Sequence, residues 1–213
     1  MTPEVKKRTY DSSGRQEQAR RNRVRIIEAA RERFLGDGYA ATTIPAVAGG
    51  AGVSVETVYK SFGNKAGVLK AVWDVTLVGD DEPVPMDARG EVQSVLAEPD
   101  PRKKIELYAT YVPRIVGRVG PMFRVIHEAA SSDPSAAAIE AQIEEERLIG
   151  MGMFAQHLHD GGHLRTGVTV QKARDVLWAA TSPAVWDLLV VRRGWDDEAF
   201  SRFVADAAIA ALL

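Results

Sequence analysis

The sequence predicts an all-α fold on three observations. Apolar residues recur at the three- and four-residue spacing of a helix face along most of the chain. Gly and Pro fall at intervals that suit helix ends rather than strand turns. Alternating Val/Ile/Thr runs joined by hairpin turns, and internal repeats, are both missing. At 213 residues and 46% hydrophobic composition, the chain holds one domain, or two small ones sharing a core, with no need of metal or disulfide staples.

Residues 1–14 are polar and carry Lys6, Lys7 and Arg8, and are expected to form a disordered basic arm. From about Arg15, Val24, Ile27, Ala30, Phe34 and Leu35 mark one face of a helix whose other face is basic, until Gly36 and Gly38 stop it. Three short units follow. Thr42 or Thr43 caps a helix through about Gly49, Ser54 caps one through Ser61, and Asn64 caps a longer one through about Val78. The stretch Gly79 to Pro85 is too acidic and Pro-rich for core, and residues 86–99 are ambiguous. Long helices resume at 101–117, with a kink near Pro113, and at 121–131, with Pro121 in the first turn. Asp133-Pro134 starts another that ends at Gly161-Gly162. The last two run from Thr169 to about Arg193, with Pro183 inside, and from Asp196 to the C-terminus.

Charge divides the chain. Up to residue 70 there are 13 basic and 7 acidic residues, a net of +6, and the remainder carries 14 and 22, a net of −8. A basic half attracts phosphate backbones through counterion release, while an acidic half turns away from them. A solvated helix face accounts for such a run equally simply. With no cysteine, disulfides, thiolate metal sites and cysteine nucleophiles are excluded. No apolar run approaches the roughly 18 residues that cross a bilayer, and the N-terminus lacks a signal-peptide core, so a cytoplasmic protein without membrane contact is expected.

The informative stretch is Gly38 to Leu69, in which a capped short helix, a Gly-containing turn and a second capped short helix follow one another at helix-turn-helix spacing. Ala48 and Ala51 allow two helices to cross closely, Gly52 permits the sharp turn, and Val53 can pack beneath it. Ser54 aims free N–H groups outward from a helix N-terminus, an arrangement suited to phosphate. Val55, Glu56, Thr57, Tyr59 and Lys60 then ride on the second helix, with Val58 and Phe62 turned inward.

Here the sequence resembles the TetR family of bacterial transcriptional regulators, through Gly38, Tyr39, Thr42, Thr43, Ile44, Val47, Ala48, Ala51, Gly52, Val53, Ser54, Thr57, Tyr59, Phe62, Lys65 and Leu69, in order and without a gap. The segment Thr181 to Phe200 also looks like the one joining the last two helices in many members, while residues 79–165 carry little likeness. The resemblance implies a helix-turn-helix DNA-binding domain over 15–80 and a ligand-binding and dimerisation domain over 81–213. It also implies a homodimeric repressor released from a palindromic double-stranded DNA operator by a small molecule, without cofactor or catalysis. Val55 and Glu56 fall where members reach base edges, and Thr43, Ser54, Tyr59, Lys60 and Lys65 where they hold phosphates. Thr57 lies among them. Thr57 and Tyr59 have a second reading, as residues that close the small domain's core. Arg20, Arg21, Arg23 and Arg25 on the first helix add backbone contacts or reach a minor groove. Two departures stand out. Gly49 and Gly50 weaken the first motif helix by roughly 0.5–1 kcal/mol each relative to Ala, and Glu56 sets a carboxylate near DNA, where it can accept from cytosine N4 or simply solubilise the surface.

In the acidic half, the apolar run from Val176 to Val191 implies burial on two sides, and Phe200, Phe203, Val204, Ala207, Ala208, Ala211 and Leu212 give the last helix a face that a second copy can meet. An ordinary intrachain core is the alternative. Trp73, Tyr108, Tyr111, Met122, Phe123, His127, Met151, Phe154 and Trp178 are candidates to line a pocket for a small apolar or aromatic effector, or else plain core. His157, His159 and His163 do not fit a metal site, because positions two apart diverge on a helix and Gly161-Gly162 breaks the register. No nucleophile elbow, phosphate loop or zinc-protease motif occurs. The competing function is a small-molecule binding protein or helical enzyme whose basic half contacts protein.

Overall fold

The computed structural model describes residues 12–79 and 86–213, so the basic arm expected over 1–14 lies almost wholly outside the described residues. The fold is all-α. In chain order the helices are α1 (Ser12–Ala41), α2 (Ile44–Ala51), α3 (Val55–Phe62), α4 (Lys65–Val78), α5 (Gly90–Ala97), α6 (Pro101–Ala130), α7 (Pro134–Asp160), α8 (Val170–Ala180), α9 (Pro183–Trp186) and α10 (Asp197–Leu212). A 3-10 turn at Met86–Ala88 precedes α5, and a π-helical turn at Asp187–Val191 continues α9. Among the described residues there is no strand, and no helix is long and apolar enough to cross a membrane.

Local chemistry explains the N-terminal boundaries. Gly38 takes φ 79 and ψ 168 and breaks the helical path of α1, which then makes one further turn to Ala41. The Thr43 hydroxyl accepts from the Ala46 N–H to cap α2, and Thr42 turns inward, its hydroxyl donating to the Gly38 carbonyl at 2.8 Å. α2 continues past the expected Gly49 to Ala51, where Gly52, at φ 61, closes it in the left-handed region. Gly50 is small for a reason: a Cβ there would lie 3.3 Å from the Ala29 Cβ of α1. Ser54 and Asn64 cap α3 and α4 through the Thr57 and Gly67 N–H groups.

Two expected boundaries are corrected, and a third stretch that the sequence left open is assigned. The break between 117 and 121 does not occur, since α6 runs unbroken over 30 residues with Pro113 and Pro121 inside it. An interior proline costs about 3 kcal/mol. Burial on both sides offsets it, with Val112 and Val116 in one core cluster and Val119 and Met122 in the other. The single helix expected from Thr169 to Arg193 is instead divided at Thr181 and Ser182. Ser182 precedes proline, which disfavours helical backbone there, and Pro183 suits the first position of a new helix that Ser182 caps. Third, the ambiguous stretch 86–99 is the 3-10 turn and α5.

Two apolar clusters form the interior. One gathers Ile26, Ala30 and Phe34 of α1, Val47 and Ala51 of α2, Val58 of α3 and Leu69, Val72 and Trp73 of α4. It continues without interruption into Val119, Met122 and Ile126 of α6 and Ile143 of α7. The other joins Ile105 and Val112 of α6, Phe154 and Leu158 of α7, Leu177 of α8, and Phe200, Val204 and Leu212 of α10. α6 is therefore the spine shared by both, and any tilt of α4 is felt along it.

Candidate nucleic-acid interface

α3 is a short amphipathic helix held by its inner face. Val58 is 1% exposed and anchors it to the first cluster, with Val55 and Phe62 packed more loosely at its two ends. Glu56 and Lys60, one turn apart, and Tyr59 between them point to solvent, Tyr59 with 49% of its surface open. The expected inward turn of Val58 is thus found, while Thr57 is half-buried and its hydroxyl lies 3.1 Å from that of Ser54. The N-terminus of α3 is already partly served. Ser54 Oγ accepts from the Thr57 N–H at 3.2 Å, and Glu56 accepts from its own backbone N–H and from Ser54, which holds its pKa below the ordinary carboxylate value. Glu56 is accordingly ionised at neutral pH.

Around this helix the structure brings together most of the residues singled out from sequence. Thr43 is exposed at the start of α2, and Lys60 is exposed at the far end of α3. Lys65 differs. Its ammonium lies 4.0 Å over the Tyr39 ring and donates to the Ala40 carbonyl at 3.4 Å, and its partial burial there lowers its pKa. Lys65 is therefore folded back on the end of α1. Of the four arginines on α1, Arg20 and Arg21 each pair with Glu17 of the same helix. Arg23 crosses to α3, its guanidinium 4.8 Å from the Phe62 ring centroid, and Arg25 crosses to the turn, where a Cβ on Gly52 would meet its Nη2 at 2.4 Å. This packing of Arg23 and Arg25 against the motif, and the seat that Tyr39 gives Lys65, were not legible from spacing. A basic helix face looks the same in sequence whether it faces solvent or another helix.

The candidate pocket residues do not meet in one place. Met122 and Trp73 are 1% exposed in the first cluster, with Phe123 against its edge. His127 is on the surface, bonded through Nδ1 to Glu140 at 2.7 Å. Tyr108 and Phe154 pack ring to ring at 4.8 Å in the second cluster, where the Tyr108 hydroxyl donates to Met151 Sδ and burial pushes its pKa up to about 12. Trp178 donates to Glu144 at 2.8 Å beneath the Arg147 guanidinium. Tyr111 borders a cavity of about 750 Å³ between the C-terminal end of α4, the 3-10 turn, α5 and α6. Among the described residues no group of three or more His, Asp or Glu could hold a metal ion.

Residues 26–72, which comprise the second half of α1 through most of α4, match the family described as bacterial regulatory proteins, tetR family. Residues 26–72 are thus a domain of the tetR-family kind. The likeness of fold extends over nearly the whole chain. A TetR-family transcriptional regulator structure from Rhodococcus sp. superposes with a TM-score of 0.71 at 13% identity, covering 91% of this chain and 100% of its own. NalD of Pseudomonas aeruginosa, the secondary repressor of the MexAB-OprM multidrug efflux pump, gives 0.71 at 18% identity, covering 92% and 98%. The fatty acid degradation regulator FadR of Bacillus halodurans gives 0.66 at 15% identity, covering 88% and 94%. None of the curated proteins is significantly similar in sequence. The TetR-family fold and its helix-turn-helix domain are thus established for this chain.

Proposed function

We propose that this chain is a homodimeric, sequence-specific DNA-binding regulator, a repressor that leaves a palindromic operator when a small molecule binds in the acidic half. The observation that carries the reading is α3 itself, a capped helix anchored by Val58 that holds out Glu56, Tyr59 and Lys60 beside a basic α1. Glu56 and Val55 are the candidates for base edges. Thr43, Ser54, Thr57, Tyr59, Lys60 and Lys65 are the candidates for positioning on the backbone, Lys65 after its ammonium leaves Tyr39. The domain division near residue 80 is functional in this reading rather than a gap in packing, because the first cluster runs from α1 into α6 and α7. The efflux-pump repressor and fatty-acid regulator among the similar folds support a repressor that answers to a small molecule.

DNA binding through about six phosphates is expected to weaken with salt at a log–log slope near −5, measured by fluorescence anisotropy on a labelled duplex. Lys60→Ala is expected to reduce affinity for all duplexes alike and make that slope shallower by about 1, whereas Glu56→Ala changes preference at one base pair. An unchanged affinity of Lys60→Ala at low salt would remove Lys60 from the interface.

Dimerisation is assigned to α10 and the turn before it. Leu188, Val191 and Trp195 are exposed apolar residues there, and Trp195, Phe203 and Ala207 line a surface groove. A two-fold axis through this face would pair each groove with its copy and set two recognition helices one or more DNA turns apart. Ala207→Glu is expected to yield monomers in sedimentation velocity. A dimer that persists in this variant would move the interface elsewhere.

A further inference from the structure

We propose that Arg23 and Arg25 of α1 are positioning residues, which bracket the recognition helix α3 at its two ends and set the angle at which it meets DNA, rather than neutralising phosphates themselves. The effect on DNA rests on the DNA-binding reading above, whereas the bracket does not. α3 has eight residues, below the roughly 12–15 at which a helix begins to hold by itself in water. Its orientation therefore comes from what it packs against, and Val58 is its one buried side chain. A single central anchor leaves both ends free to swing. The C-terminal end is met by Arg23, whose guanidinium stands 4.8 Å from the centroid of the Phe62 ring. Phe62 is the last residue of α3 and packs against the edge of the first cluster, so core and cation hold the same ring.

The other end is met by Arg25. Its guanidinium lies against Gly52, where a Cβ would stand 2.4 Å from Nη2 and 3.6 Å from Cζ. Gly52 closes α2 and opens the turn that leads through Val53 and Ser54 into α3, so the arginine fills the space that a side chain at the turn would take. Both arms stand on a firm base, because Ile26 and Ile27, next along α1, are buried in the first cluster. Positions two apart lie about 200° from one another around a helix axis, which lets the two side chains lean to different sides and reach opposite ends of α3. A planar guanidinium suits both tasks, since it stacks on an aromatic face and lies flat against backbone as an ammonium does not. Arg20 and Arg21, by contrast, pair with Glu17 of their own helix.

The test pairs DNA binding with amide hydrogen exchange, both on the full-length protein. Anisotropy is measured on a duplex enriched from a random pool and on a scrambled duplex of equal length. Arg23→Met is expected to bind the enriched duplex about 3- to 10-fold more weakly, to bind the scrambled one nearly as before, and to keep the wild-type salt slope. A residue that holds a phosphate behaves otherwise: both duplexes weaken alike, the slope falls by about 1, and a lysine restores it. Arg23→Lys is therefore expected to resemble Arg23→Met. Phe62→Leu is expected to weaken specific binding as well, and Arg23→Met added to it to cost little more, since the two side chains act through one contact. Should Phe62→Leu fail to fold, the salt slope and Arg23→Lys decide, because Arg23 is exposed and its substitution leaves the core intact. Without DNA, the α3 amides of Arg23→Met and Arg25→Met are expected to exchange about 2- to 5-fold faster than in the wild type. A slope shallower by about 1, equal loss on both duplexes, or wild-type exchange in α3 would overturn the assignment. Faster exchange in the variants of a protein that enriches no duplex would leave the bracket standing and sink the DNA-binding reading, so the two failures are distinguishable.

Discussion

Gly67→Ala is expected to destabilise the protein by about 3 kcal/mol and to reduce DNA affinity further than that loss of folded protein explains. A Cβ at position 67 would lie 2.0 Å from the Phe62 carbonyl oxygen and 3.1 Å from its carbonyl carbon, both backbone atoms of the preceding helix. No side-chain rotation can relieve that overlap, so the junction of α3 and α4 must open. The same residue donates its N–H to Asn64 Oδ1 at 2.8 Å, so the cap of α4 moves with it. Because α3 ends at Phe62 and α4 begins at Lys65, a shift of this junction tilts the recognition helix. Urea denaturation gives the stability change, and anisotropy at concentrations of equal folded protein gives the residual effect on DNA. Wild-type stability in the Gly67→Ala variant would show that the α3–α4 turn yields to the added methyl group at little cost.

Trp73→Ala should have the larger effect on stability alone, about 3–5 kcal/mol, a large share of the roughly 5–15 kcal/mol available to a folded domain. Trp73 is the largest fully buried side chain, 1% exposed, in the cluster that joins α1 to α4 with α6 and α7. Its removal leaves a void where the helix-turn-helix unit meets the rest of the chain. Trp73→Phe keeps most of the apolar surface and should cost less than half as much. The midpoint of urea unfolding, followed by circular dichroism, measures both. A small change in Trp73→Ala would mean that the site collapses around the truncated residue, and with it that the two parts of the cluster can move together at little cost.

Where a boundary rests on local chemistry, the sequence was enough. The caps at Thr43, Ser54, Asn64, Asp133 and Asp196 fall where Ser, Thr, Asn or Asp precedes an apolar run, and each side chain accepts from the helix it starts. The inward turn of Val58 followed from its spacing alone. Prolines misled in both directions, because their effect depends on what surrounds them. Pro121, read as the start of a new helix, lies inside α6 between buried Gly120 and Met122, whereas Pro183 sits beside a serine ready to cap a new helix. The pocket was least legible. Aromatic and Met residues on helical faces look alike whether they fill core, as Met122 and Trp73 do, or border a cavity, as Tyr111 does. What distinguishes the cavity is a convergence of arginines from α6 and the segment before α5, and no local pattern announces it.

The central claim is that α3 reads a specific DNA sequence as one half of a symmetric pair. Selection of bound sequences from a random double-stranded pool, at about 0.1–0.15 M salt where non-specific contacts are weakened, tests it most directly. A two-fold symmetric consensus, with half-sites about one or more helical turns apart, is the result expected of a dimeric regulator. A folded protein that enriches no sequence would contradict the account and return the basic half to a role in protein contact.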